Sequence, residues 1–255
     1  MPTAWLLVAA VAISLAAVLL SVVVIRRIVP STREGYHAEI SAPMLGVVAA
    51  LFGLLLAFVI VIAYQNYLAA QANLSREADS LSSIVRDSGA FPEPGRDSVV
   101  ASVGTYVTAV VDNEWPEMRN GHDSALAWNG LDGIFTAFKT VKPKTPAQVS
   151  FYDDAVTQLN NTLAARRDRL QSVSGGIPGP IFILILFGAF VIIGYAVLVG
   201  SPSFWFHALG AAAIATVVAV SLVVLVDLSY PFSGNVTISP AVFKTGSLSQ
   251  FFYRP

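Results

Sequence analysis

The stretch from Pro43 to about Ser88 constrains the fold more than any other. Pro43 to Ala63 contains no Asp, Glu, Lys or Arg, and an uncharged apolar run of that length reads as a membrane-spanning helix. Nothing breaks the helix where the lipid ends. Tyr64, Gln65, Asn66 and Tyr67 form an aromatic and polar collar suited to the headgroup level. Beyond it, Tyr67, Leu74, Ala78, Leu81 and Val85 keep a spacing of threes and fours, and Arg76, Glu77, Asp79 and Arg86 fall between them as the wet face. One helix over this stretch is roughly 65–70 Å long, so about half of it stands clear of a bilayer. The expectation is a membrane helix that delivers a stalk into a soluble helical bundle.

Composition narrows the function classes. Of 255 residues, 55% are hydrophobic and 12% charged, the mean hydropathy is +0.67 and the net charge is −1. Such a balance offers no basic surface for nucleic acid and no polybasic membrane patch. The chain has no cysteine, which excludes disulfide scaffolds, thiolate metal sites and cysteine nucleophiles.

The spans and their connections follow in chain order. Ala4 to Ile25 is uncharged and interrupted only by Ser14 and Ser21. It lacks the basic start and short core of a secretory signal and is followed by Arg26-Arg27, so it reads as an uncleaved first span. The hairpin from Arg26 to Ala42 holds Arg33, Glu34, His37 and Glu39. Pro30-Ser31-Thr32 stops the first helix, and Ser41 is placed to cap the second with Pro43 in its first turn. His37 reads first as a solvated loop side chain, with a proton or metal role as the sharper alternative.

The segment from Tyr67 to Ser174 reads as all-α. Phe91-Pro92-Glu93-Pro94-Gly95 ends the stalk. Val99, Val103, Tyr106 and Val110 then form one helical stripe that Trp115-Pro116 is expected to break. A looser helix is expected from Ser124 to about Lys139, with Leu131, Ile134, Phe135 and Phe138 inward and Gly130 and Gly133 counting against it. Thr145-Pro146-Ala147-Gln148 fits a capping box, and Val149, Tyr152, Val156, Leu159, Leu163 and Leu170 make a seam in which Arg166 is the one charge. That helix is expected to form an antiparallel hairpin with the stalk.

From Leu170 to Val226 no charged residue occurs, and Gly200-Ser201-Pro202-Ser203 divides the run. Ile181 to Val199 and Phe204 to Val226 are the third and fourth spans, with Phe204, Trp205 and His207 in an interfacial belt. The expected fold is therefore an all-α, four-span integral membrane protein whose second span continues as the stalk. Its parts are a first transmembrane hairpin at 1–66, a soluble helical domain at 67–176, a second hairpin at 177–228 and a tail at 229–255. Four spans put both termini and the bundle on one side of the cell membrane, and the larger count of basic residues on that side leans to the cytoplasm.

Several short motifs occur in a characteristic order. They are Arg26-Arg27-Ile28-Val29-Pro30 with His37 behind it, the second span running into Glu77-Ala78, and Phe91-Pro92-Glu93-Pro94. Glu114-Trp115-Pro116, Leu159-Asn160, the run from Arg166 to Leu170, and Pro231-Phe232-Ser233-Gly234 follow. Over nearly the whole chain this order resembles the bacterial bestrophin-like membrane proteins, a family distantly similar to the bestrophin anion channels. The resemblance implies a homo-oligomer, pentameric in bestrophins, whose second helix lines a pore. Leu56-Ala57-Phe58 looks similar to the Leu-Gly-Phe that ends the bestrophin neck, which places Ala50, Leu54 and Phe58 on the pore. The same residues suit packing against neighbouring spans, and both readings stand at this point. Asp227, Pro231, Phe232 and Gly234 are structural or gating candidates after the fourth span, and Arg26, Arg27 and His37 are candidates in the hairpin. Bestrophins bind calcium through an acidic cluster after the fourth helix. Nothing acidic follows Asp227, so calcium gating of that kind is expected to be absent.

The first functional reading is an ion channel or pore, with an anion as the conducted species and the lipid bilayer as the surroundings. The small-residue face Gly46, Ala50, Gly53 and Ala57 supports it by allowing close approach of helices. The second is a non-conducting scaffold whose bundle binds a partner. No zinc-spaced His/Glu set, nucleophile elbow or phosphate loop occurs, so neither an enzyme nor a metal or other cofactor is expected.

Overall fold

The computed structural model describes residues 2–29, 38–173, 176–233 and 236–253, which are mostly helical with no strand among them. The helices are α1 (Pro2–Ile28), α2 (Ala38–Asp87), α3 (Gly95–Ala109), α4 (Trp115–Met118), α5 (Ala125–Phe138), α6 (Pro146–Val173), α7 (Gly179–Leu198) and α8 (Phe204–Ser229). Two 3-10 turns, Pro240–Lys244 and Gly246–Phe251, follow. The chain divides into two compact units, one of residues 1–65 and 176–229 and the other of residues 66–175 and 230–255. Four helices are long and apolar enough to cross a membrane: α1, α2, α7 and α8. All four expected spans are thus present, and the second is a helix of 50 residues.

In the first unit, Phe52, Leu56, Val59 and Ala63 of α2 bury against Ile185, Ala189 and Ile192 of α7 and Val218 and Leu225 of α8. The ring of Phe52 lies over Gly188, where a Cβ would come within 2.6 Å of it. Glycine on α7 is what admits the ring, in keeping with the small residues that let helices approach in lipid. Val18 and Val22 of α1 pack against Ala211 and Ala215 of α8 and Val197 of α7. At the end of α1, Arg26 donates to the carbonyls of Ser201 (2.9 Å) and Pro202 (3.2 Å) and lies 5.6 Å from the Phe204 ring centroid. The C-terminus of α1 and the turn between α7 and α8 therefore share one end of this unit, as a succession of antiparallel spans requires.

The second unit has its own core. Ala70, Leu74, Ala78, Leu81 and Ile84 of α2 join Val99, Val103, Tyr106 and Val107 of α3, Leu131, Ile134 and Phe138 of α5, and Ala155 and Leu159 of α6. A 3-10 turn over Ser88–Ala90 closes the α2 segment where the Pro-rich motif predicts a stop, and Phe91, extended and donating its amide to the Ser88 carbonyl, packs edge-on to Phe138 at 6.1 Å. The tail belongs here: Phe232, Ile238, Phe243 and Leu248 are buried in the same core, and the Phe251 ring covers Gly104 of α3.

Three local readings are corrected by the structure. Pro43 is not in the first turn of α2, which begins at Ala38, so it costs the helix one hydrogen bond near its start without ending it. Trp115-Pro116 does not break its helix. A π-turn over Val110–Glu114 precedes it, the Trp115 amide donates to the Val110 carbonyl, and α4 continues to Met118. The extra residue in a π-turn gives the proline ring the room that a regular turn denies it. Gly130 supports α5 where it was counted against it, because a Cβ there would lie 3.0 Å from the Tyr106 Cα and hold α3 and α5 apart. The α6 cap forms at Thr145 as expected, with only the reciprocal glutamine bond displaced to the Lys144 amide. Thr145 Oγ1 accepts from the Gln148 amide at 3.2 Å, while Gln148 Oε1 accepts from the Lys144 amide at 2.8 Å.

Candidate functional site

The polar centre of the second unit is a set of four charged side chains with no solvent exposure: Glu77 of α2, Glu114 at the end of the π-turn, and Arg166 and Arg169 of α6. The π-turn aims Glu114 inward while Asp112 and Asn113 before it stay exposed. On α6 the buried line runs Ala155, Leu159, Thr162, Arg166, Arg169, a spacing of fours and threes that brings Arg169 to Glu77 of α2 and Arg166 to Glu114. Val149, Tyr152, Val156 and Leu163 lie to its side. Val149 is exposed and the other three half-buried, so the expected seam was rotated from the true one.

Arg169 is the hub. Its Nε donates to Glu77 Oε2 at 2.7 Å, and its Nη2 donates to Glu77 Oε1 at 3.1 Å and to Glu114 Oε2 at 2.7 Å. Its Nη1 donates to Met118 Sδ at 2.8 Å. Tyr106 adds its hydroxyl to Glu77 Oε1 at 2.5 Å. Arg166 donates from Nη2 to Glu114 Oε1 at 2.5 Å and its guanidinium carbon lies over Trp128, 4.0 Å from the ring centroid. The two positive and two negative charges cancel, which is the condition for burying them at all. Burial by itself would lower the Arg169 pKa, but the charge and hydrogen bonds of Glu77, with Glu114, outweigh it and hold the guanidinium protonated. Burial, then the Glu77 charge, pushes the Tyr106 phenol well above its ordinary range.

Several of the motifs noted along the chain meet at this point. Glu77-Ala78, Glu114-Trp115 and the Arg166-to-Leu170 run supply the charges, and Phe232 of the tail motif packs edge-on to Trp115 at 5.6 Å. Pro231 is buried beside it, and its carbonyl accepts from the Ile238 amide at 2.9 Å. Sequence reasoning placed Glu77 on the wet face and missed the burial of Arg169. The available signal was that Arg166 and Arg169 extend the same line as Leu159 and Thr162. The network is closed to solvent and its carboxylates are occupied by donors, so it holds segments together and presents no free acid or base.

The remaining candidates lie elsewhere. Ala50, Leu54 and Phe58 are exposed on α2, Leu54 at 56% and Phe58 at 61%, on the face turned away from Phe52, Leu56 and Val59. None of the three belongs to the buried cluster that α2 forms with α7 and α8 among the described residues. Gly53 and Ala57 do not share that face alone. They line an apolar groove of about 470 Å³ with Phe52, Ile192, Val217 and Ser221. Arg26 is engaged with the α7–α8 turn, Arg27 is exposed, and Asp227 is half-buried near the end of α8. His37 and Gly234 lie outside the described residues.

Four apolar helices with lipid-sized uncharged faces, one of them running on into a second helical unit, define an α-helical multi-span membrane protein. The family profile of the Bestrophin-like domain matches residues 12–243, and the chain belongs to that family. A solved crystal structure described as that of a membrane protein has the same fold, with a TM-score of 0.68 at 8% identity over 94% of this chain and 95% of that one. No curated protein matches the chain.

Proposed function

We propose that this bestrophin-like protein is a homo-oligomeric anion pore of the cell membrane, lined by the α2 segment that carries Ala50, Leu54 and Phe58. The observation that carries the reading is the exposure of those three side chains on an α2 face that the subunit's own helices leave uncovered. Residues i and i+4 share a helix face, so copies of α2 around an axis would set Leu54 and Phe58 as successive apolar rings. Such rings resist wetting and hold a narrow neck shut. A pentamer is the stoichiometry that the family's likeness to bestrophins suggests. Selectivity would come from backbone donors and helix ends, because no basic residue occurs between Pro43 and Ala63. In this reading residues 66–175 face the cytoplasm, and the chain has no catalytic role.

The competing reading is a scaffold. It draws on a groove of about 400 Å³ between α2 and α6, lined by Arg76, Asp79, Ser83, Gln158, Asn161 and Asp168 among others, where a partner would bind. Phe58→Ala separates the two. For a pore, the mutant keeps its oligomer on size exclusion and passes more anion than the wild type in reconstituted vesicles. If Phe58 is instead buried between subunits as packing, its truncation costs about 3–5 kcal/mol. A dissociated and non-conducting mutant would then reject the pore.

A further inference from the structure

The groove of about 470 Å³ in the first unit is built by three spans. Phe52, Gly53 and Ala57 of α2, Ile192 of α7, and Val217 and Ser221 of α8 belong to its lining, which holds no charged residue. Val217 in its wall is 66% exposed, so the groove is continuous with the lipid-facing surface of the spans. Along α2 it runs from Ala49 to Ile60, about 16 Å at the helical rise, against a hydrocarbon core of roughly 30 Å. Its length is therefore close to the depth of one lipid leaflet.

The wall of this groove carries an unpaired hydroxyl. Elsewhere on α1 and α8, the described hydroxyls of Ser14, Ser21, Thr216 and Ser229 each donate to a carbonyl three or four residues back. Ser221 differs. It is half-buried in the groove wall, and its hydroxyl has no hydrogen-bond partner among the described residues. A polar group left unsatisfied in hydrocarbon is unfavourable, because no water is there to pair with it. Ser221 stands six residues before Asp227, and Ile60 stands one turn before Tyr64. Both therefore lie just inside the apolar boundary, at the depth where the ester carbonyls of a phospholipid meet its tails. A second copy of this chain is a poorer match. Pro43 to Ala63 has no polar side chain and Ile181 to Val199 has only Tyr195, and the backbone carbonyls of a span are used within its own helix.

We propose that this groove holds one acyl chain of a membrane phospholipid, whose ester carbonyl accepts a hydrogen bond from Ser221 Oγ. The tail fills the apolar surface between α2 and α8, and the carbonyl satisfies the hydroxyl that the chain leaves unpaired. The site is made by the spans of a single subunit and does not depend on whether the protein conducts.

The test titrates the full-length protein, stripped of lipid in detergent, with micellar diacyl phosphatidylcholine and with the dialkyl ether analogue of equal chain length, which lacks the carbonyls. The diacyl lipid should raise the thermal midpoint and saturate, and the ether should bind roughly tenfold more weakly. Ser221→Ala removes no bond that the chain itself makes, so the variant should fold and bind the two lipids equally. A Cβ on Gly53 would meet no atom within 4 Å, so Gly53→Leu can enter the groove without a clash and should abolish saturable stabilisation by either lipid. Stabilisation of the wild type that does not saturate overturns the proposal. So does equal affinity of the wild type for ester and ether, or an ester preference that survives Ser221→Ala. Unchanged lipid affinity in Gly53→Leu overturns it as well, and loss of the oligomer in that variant would then mean that a second copy fills the groove.

Discussion

Arg169 and Glu77 meet through two hydrogen bonds in the interior of the second unit, and neither has any exposure. Forming such a pair gains little net stability, because desolvating both ions offsets their attraction. Breaking it is another matter, since the survivor is left charged and buried. Glu77→Ala is expected to cost about 3–5 kcal/mol, as it strips Arg169 of two acceptors and orphans the Tyr106 hydroxyl. Tyr106→Phe deletes one hydrogen bond to a charged group and leaves the ion pairs intact, for a loss of about 1.5–3 kcal/mol. Denaturant unfolding monitored through the tryptophans of this unit should rank wild type above Tyr106→Phe above Glu77→Ala. An equal loss in both variants would mean that the phenol, and not the ion pair, holds Glu77 in place.

Where α2 ends, a second acidic contact gives an element-scale property. Asp87 is its last residue, 6% exposed, with Oδ2 unpartnered. Burial raises its carboxyl above the ordinary 3.8, the charge and hydrogen bond of Asp154 on α6 raise it further, and Arg86 opposes them. A raised folded-state value means the native protein binds this proton more tightly than the unfolded chain. The contribution is therefore fully present below the unfolded value and is lost as pH rises through the folded one. The junction of α2 and α6 should be tighter in mild acid than at neutrality. Asp87→Asn keeps the neutral form at every pH, so it should raise the thermal midpoint at pH 7 and flatten its dependence from pH 4 upward. A variant destabilised to the same extent across that range would show that the ionised carboxylate is the structural form.

At the scale of the whole molecule, the order of four apolar helices predicts which connections share a side of the membrane. The α7–α8 turn should lie opposite both the α4–α5 connection and the tail. Ser203, His122 and Gln250 are exposed in these three places, and the chain has no native cysteine to confuse a label. Single cysteines at the three positions should sort by an impermeant reagent into two classes, Ser203 alone in one. Labelling of all three from one side would end the four-span arrangement. The same experiment on oriented vesicles or cells assigns the cytoplasmic face, which we propose for His122 and Gln250.

The sequence by itself determined the spans. Absence of charge over the length of a bilayer is a property of composition, and a backbone in lipid has to satisfy its own hydrogen bonds whatever surrounds it. Capping at Thr145 and the stop at Phe91 were equally legible, being made by neighbours in the chain. Which way a charged side chain faces was not. Glu77 stands among Arg76 and Asp79 on the same helix and differs from them through its partners Arg169, 92 residues away, and Tyr106. Likewise Leu163, apolar and at seam spacing, is half-buried while Arg166 has no exposure. Burial of an ion is decided by the partner that neutralises it, and that partner comes from another helix. Local periodicity records hydrophobicity along one element and carries no term for such a partner, so the buried network at the centre of the second unit emerged only when α2, α6 and the π-turn were packed together.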